Sequence, residues 1–175
     1  MRKALSLLTT FLFLLAVPAA VSGQGIFVGG GVTIPTGDFG DYADTGWLAS
    51  AGFSFDIGEA GLSAGVEGFY GENKHSDVDG DKTNPYGAMG FLLYRAGNAE
   101  SVGPYFYGGA GLLVHRFSPA SGDSESDTNF GYEAGAGLDF PFSDNVGAWV
   151  EGRFMGASDT NFFGIVAGLG FGLGS

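Results

Sequence analysis

Phe130-Gly131-Tyr132-Glu133-Ala134-Gly135-Ala136-Gly137-Leu138-Asp139-Phe140 decides how the rest of this chain is read. Its even positions are all apolar, and its odd positions are glycine or acid. Successive strand side chains point to opposite faces, so this is a strand with one greasy face and one small, charged face. The function turns on which face meets lipid, water or a lumen.

The same alternation recurs along the chain and predicts eight strands, at residues 25–34, 46–57, 62–72, 84–96, 102–117, 129–142, 146–155 and 162–173. They are long for globular strands, but suit tilted strands crossing a bilayer, which need about 9–11 residues. Their connections alternate in length. Residues 58–61, 97–101 and 143–145 are short turns; 35–45, 73–83, 118–128 and 156–161 are longer loops. An even-stranded meander with short turns and both termini at one end is the layout of an outer-membrane barrel, with that end in the periplasm. The predicted fold is therefore all-β: an eight-stranded antiparallel up-and-down transmembrane barrel.

The first stretch stands apart. Arg2 and Lys3 precede an apolar run, residues 5–17, then the small residues Ala19, Ala20, Ser22 and Gly23. This is the charged, apolar and cleavage-site order of a secretory signal peptide, 1–23, leaving 24–175 as one barrel domain. A retained anchor fits less well, because the run is short. There is no cysteine, so a disulfide framework and a lipidated N-terminal cysteine are excluded. Removing Arg2 and Lys3 takes the net charge from −12 to −14, which argues against a nucleic-acid partner. The 26 aromatics and 34 glycines, in a patterned chain, argue against disorder.

A soluble lipocalin-like barrel also alternates, with its apolar face inward. The composition of the second face separates the two cases. The predicted strands contain no lysine, whereas a solvated strand face normally carries Lys, Thr, Arg and Glu. That face is rich in glycine instead, as at Gly65, Gly109, Gly111, Gly135, Gly137, Gly164 and Gly168. Glycine weakens a strand but makes room in a lumen so narrow that side chains fill it. The lipid-facing set then includes Trp47, Phe53, Val66, Tyr70, Tyr86, Leu92, Tyr94, Phe106, Leu112, Phe130, Tyr132, Leu138, Phe163, Ile165 and Phe171. Aromatics near strand ends suit interfacial girdles. The fourth strand admits two readings. Met89, Phe91 and Leu93 share the lumen parity, so either bulky residues plug the lumen or the register shifts.

These residues resemble a family. The segments Gly29-Gly30-Gly31-Val32-Thr33-Ile34-Pro35-Thr36-Gly37-Asp38-Phe39, Pro104-Tyr105-Phe106-Tyr107-Gly108-Gly109-Ala110-Gly111 and Val150-Glu151-Gly152-Arg153-Phe154 are similar to strands of the small outer-membrane barrels of the OmpX and OmpA transmembrane-domain type. The resemblance spans the mature chain. It implies residence in the cell outer membrane of a Gram-negative bacterium, and insertion by the barrel-assembly machinery. It also implies contact with membrane lipid and lipopolysaccharide, a monomer, and no cofactor. Many members end on an aromatic residue that the machinery reads; here the last aromatic is Phe171. No peptidoglycan-tethering role is expected.

The lumen face carries charge. Glu67, Glu133, Glu151 and Arg153 are expected around mid-barrel, and Asp56, Arg95 and Asp139 toward the short-turn end. Buried charges must be paired or hydrogen-bonded, so a salt-bridged network is expected, with Arg153 bound to at least one of Glu67, Glu133 and Glu151. Acids outnumber arginines there, which leaves a weak cation path open as an alternative.

His115 falls on the lumen parity and is read as a hydrogen-bonded rim histidine; His75 lies in a loop. Lipid A deacylases of similar architecture use a closely spaced His and Ser on the outer face, but Ser118 is three residues from His115, so no enzyme is expected. Asp77-Val78-Asp79-Gly80-Asp81-Lys82 begins like a calcium loop, then departs at Lys82 and Ala88, so no metal site is expected. Arg116 falls on the outward parity near the outer rim, where it either meets lipopolysaccharide phosphate or caps the strand among headgroups. Eleven of the nineteen acids lie in or beside the long loops, opposed there by Lys74 and Lys82. The expected role is structural or surface-interactive, with an unidentified ligand met through the loops. The alternatives are a narrow channel for small solutes or cations, a soluble ligand-binding barrel and, last, a lipid-modifying enzyme.

Overall fold

A computed structural model describes residues 24–58, 61–96, 101–158 and 160–173. The expected signal peptide lies outside these residues. The strands are β1 (Gly25–Thr36), β2 (Gly46–Asp56), β3 (Leu62–Lys74), β4 (Lys82–Arg95), β5 (Gly103–Ser118), β6 (Glu125–Ser143), β7 (Val146–Ala157) and β8 (Thr160–Gly172). Each pairs antiparallel with its neighbour in sequence, and β1 closes on β8. Closure satisfies the backbone donors and acceptors that an open edge would expose to lipid.

Outward along the barrel run Trp47, Tyr70, Leu92, Phe106, Leu112, Phe130 and Ile165, all exposed. In water so much exposed apolar surface would drive association; in hydrocarbon it is the matched surface. Trp47, Tyr70 and Tyr86 form a lateral aromatic chain across β2, β3 and β4 near the loop end, with centroids 5.8 and 6.3 Å apart.

The two readings of the fourth strand resolve in favour of packing. β4 pairs without slippage with both β3 and β5, and Met89 is fully buried. Among the described residues the recorded register shift falls between Pro141 and Ser143 of β6, against β7. Pro141 lacks the N–H that an unbroken ladder would use there.

Two features extend beyond the sequence reading. β6 begins at Glu125 rather than 129, and pairs with β5 as far as Phe117 opposite Glu125. That extension carries Glu125, Ser126, Asp127 and Thr128, so it shows no apolar alternation, although its ladder continues. The first long loop holds a 3-10 turn, Gly37–Asp41, that buries Phe39 against the barrel's outer end.

Candidate functional site: the lumen and its two mouths

Arg153 organises mid-barrel. Its Nη1 and Nη2 donate to Oε1 and Oε2 of Glu67, at 2.5 and 3.1 Å, in a bidentate fork. Its Nε donates to Glu151 Oε1 at 2.6 Å. Glu151 also accepts from the hydroxyls of Tyr105 (2.6 Å) and Tyr107 (2.8 Å), and the guanidinium carbon lies 5.9 Å from the centre of the Tyr107 ring. All three charged groups are buried, so each relies on the others for the solvation it has lost.

Glu133 does not join them. It is only 4% exposed, yet neither carboxylate oxygen has a hydrogen-bond partner among the described residues. The register explains this. Arg153 lies opposite Gly135, whereas Glu133 lies opposite Met155, one lumen-facing pair further out, while the Arg153 nitrogens turn to Glu67 and Glu151.

Toward the short turns, Arg95 Nε donates to Asp139 Oδ2 at 2.5 Å, and Ser63 Oγ donates to Asp56 Oδ1 at 2.7 Å. A cavity of about 350 Å³ runs from the mid-barrel charges down to the turn residues Asp144 and Asn145, so it opens at that end. Phe27, Phe91, Trp149 and Tyr107 line it as a continuous aromatic wall, with neighbouring centroids 6.0–6.4 Å apart. Lumen glycines make the wall possible. A Cβ at Gly65 would strike the Phe91 ring, one at Gly135 the Tyr107 ring, and one at Gly168 the Trp149 ring.

Above the charges the lumen changes character. Leu48, Phe69, Met89, Leu113, Met155, Phe162 and Val166 are buried together as an apolar cluster with Phe39. Each sits on the lumen parity of its strand. Beyond the cluster lies an outer cup of about 610 Å³, lined by both histidines with Tyr42, Phe117 and Asp127 among others. His75 Nε2 is 2.9 Å from Thr83 Oγ1 and its ring stacks on Phe117. His115 departs from expectation: its Nε2 is buried and has no partner among the described residues. It lines the outer cup rather than a side-chain network, so a bonding partner was not supplied by its strand position. Its strand parity is opposite to that of Ser118, so the two residues do not share a face.

On the outward rim, Lys82 Nζ lies 2.7 Å from Glu72 Oε2, and Arg116 is exposed and opposite Asn84 and Ser126. Lys74 sits opposite Lys82. Within the acidic loops, Asp81 Oδ1 accepts from the Ala120 amide at 2.7 Å, leaning the second loop on the third.

Of the apolar cluster the sequence singles out only Met89, as part of a candidate plug on the fourth strand, and it gives no role to Phe27 or Trp149. The signal was present in the cluster: bulky apolar residues on the lumen parity of β2, β3, β5, β7 and β8, as well as β4.

A closed eight-stranded barrel with an apolar outer surface and a charged lumen defines an outer-membrane β-barrel protein. The sequence profile of the outer membrane protein beta-barrel domain matches residues 5–173, and the chain belongs to that family. It is 32% identical over 143 residues to a 22 kDa outer membrane protein of Rhizobium leguminosarum bv. viciae, covering 79% of this chain. The chain spans 66% of that relative's length. Neisserial surface protein A has the same fold, with a TM-score of 0.72 at 15% identity, covering 87% of this chain and 98% of that one. So does Ail, the attachment invasion locus protein of Yersinia pestis, solved with the heparin analogue sucrose octasulfate: TM-score 0.57, 19% identity, 86% and 99% covered. The N-terminal barrel of Pseudomonas aeruginosa OprF follows at 0.54 and 17% identity, with 87% and 99% covered. The protein resides in the outer membrane of a Gram-negative bacterium.

Proposed function

We propose that this protein is a non-conducting surface barrel, with no catalytic role, whose acidic outer end meets a partner carrying basic groups. The apolar cluster in the outer half of the lumen is the observation that carries the first half of this reading. Leu48, Met89, Leu113, Met155, Phe162 and Val166 are each no more than 1% exposed, and an ion passing this level would have to displace closely packed apolar side chains. Reconstitution in a planar bilayer is expected to give no discrete conductance. Discrete cation-selective openings in the wild-type protein would return the narrow-channel reading.

Charge supports the second half. Asp38, Asp41, Asp44, Asp77, Asp79, Asp123, Glu125 and Asp127 crowd the outer end, opposite in sign to what a polyanion such as the Ail ligand would need. Closer to the membrane the sign reverses. Lys74, Arg116 and Lys82, the last paired with Glu72, stand on the outward rim beside the Trp47–Tyr70–Tyr86 chain, which supports contact with lipopolysaccharide phosphates. Arg116→Glu should lower the lipopolysaccharide retained per barrel after mild detergent extraction. Unchanged retention would remove this contact.

A further inference from the structure

The inner cavity of the lumen has one open end, and the chemistry at its blind end is unbalanced. Arg95 is matched by Asp139, and Arg153 by Glu67 and Glu151. Glu133 is matched by nothing among the described residues, although it is nine-tenths buried and lines the cavity. A carboxylate in that position costs several kcal/mol unless a cation or proton reaches it.

The neighbours of Glu133 show which cation suits it. In the lateral register Phe91, Gly109 and Glu133 lie side by side on β4, β5 and β6. The space over Gly109 belongs to the Glu133 carboxylate, because a Cβ there would lie 2.6 Å from Glu133 Oε1. Phe91 leans over Gly65 and leads through Phe27 to Trp149, and in the other direction to Tyr107. Aromatic faces attract organic cations and hold no strong ligand for a hydrated metal ion. Arg153 over Tyr107 is a cation already seated on this wall. The cavity, about 350 Å³, has the size of a small-ligand site.

We propose that this vestibule, open to the periplasm, binds a small organic ammonium ion, with Glu133 as its counter-ion and the Phe91–Phe27–Trp149 wall as its aromatic seat. The site lies at the opposite end from the acidic loops and does not depend on what they meet. Because the apolar cluster closes the lumen above it, the ion enters and leaves by the same mouth.

The test uses the membrane-extracted barrel in detergent, with tetramethylammonium as probe and tert-butanol as the neutral control of similar shape. Saturation-transfer NMR on the probe methyl protons and calorimetry should show saturable binding of tetramethylammonium and none of tert-butanol. Glu133→Gln should weaken binding by about tenfold or more, in line with loss of a close charge pair. Phe91→Leu, which leaves every charge in place, should weaken it as well. Heat-modifiable migration verifies that each variant is folded, and the Phe91 variant keeps the test decisive if the Glu133 variant fails to insert. Three results overturn the proposal: no saturable binding, in which case a proton or water satisfies Glu133; binding indifferent to Phe91; or displacement by sodium at concentrations equal to the probe, which marks a plain cation site.

Discussion

Arg153 and Glu133 sit on neighbouring strands of one lumen and are expected to respond oppositely to mutation. Removing Arg153 strands two buried carboxylates, Glu67 and Glu151, that its fork and Nε now hold. Arg153→Met should therefore cost about 3–5 kcal/mol, the usual penalty for breaking a buried pair from one side. Glu133→Gln removes a carboxylate that has no hydrogen-bond partner among the described residues, and Gln can donate where a carboxylate cannot. That variant should match or exceed the wild type in stability. Urea unfolding of the barrel in lipid vesicles, followed by tryptophan emission, reads both; a Glu133→Gln barrel destabilised as strongly as Arg153→Met would mean that Glu133 has a partner after all. The presence of these charges in the lumen was legible from parity alone. Their partnering was not. Which acid Arg153 reaches depends on lateral register and side-chain lean, and a single sequence records neither. Glu151, two residues away on the same strand, and Glu67, far away in sequence, fit the arginine, while Glu133 misses it by one pair.

Strands show how far alternation carries. Each of the eight emerges at its expected place, because lipid on one side and a narrow lumen on the other impose the period directly. Where the strands leave the apolar band the rule fails: β6 continues outward through Glu125–Thr128 with no apolar signal, since its ladder is kept by backbone pairing to β5. Alternation marks glycine as lumen space, but only the packed structure shows which glycines are occupied. At Gly135 an added Cβ would press on the Tyr107 ring, which is tied to Glu151; at Gly170 it would meet nothing within 4 Å. Gly135→Ala is expected to cost about 1–3 kcal/mol through forced repacking. Gly170→Ala should be within about 0.5 kcal/mol of neutral, because the space is open and alanine restricts the unfolded chain. Equal losses at both sites would mean that strand propensity, rather than lumen packing, selected these glycines.

At the scale of the whole molecule the barrel is a tube divided into unlike halves. Its inner half is aromatic, charged and open; above that an apolar cluster fills the lumen beneath the outer cup, with Phe39 of the first loop joining the fill. On the non-conducting reading proposed above, this division separates two mouths, each meeting a different phase. It was only half visible in the sequence. Met89, Phe91 and Leu93 hinted at a plug on one strand, but the plug takes residues from six strands and a loop, and it forms only when closure brings them to one level. A chain without cysteine allows a direct check of the division. Ser54, on the wall of the inner cavity, Val166, within the apolar cluster, and Ser126, at the outer cup, can each be replaced singly by cysteine. A membrane-impermeant maleimide added to intact cells should label Ser126→Cys alone. After the outer membrane is permeabilised it should label Ser54→Cys too, while Val166→Cys stays protected on both sides. Labelling of Ser54→Cys in intact cells would mean that the reagent had passed the apolar cluster, and the divided tube would have to give way to a continuous one.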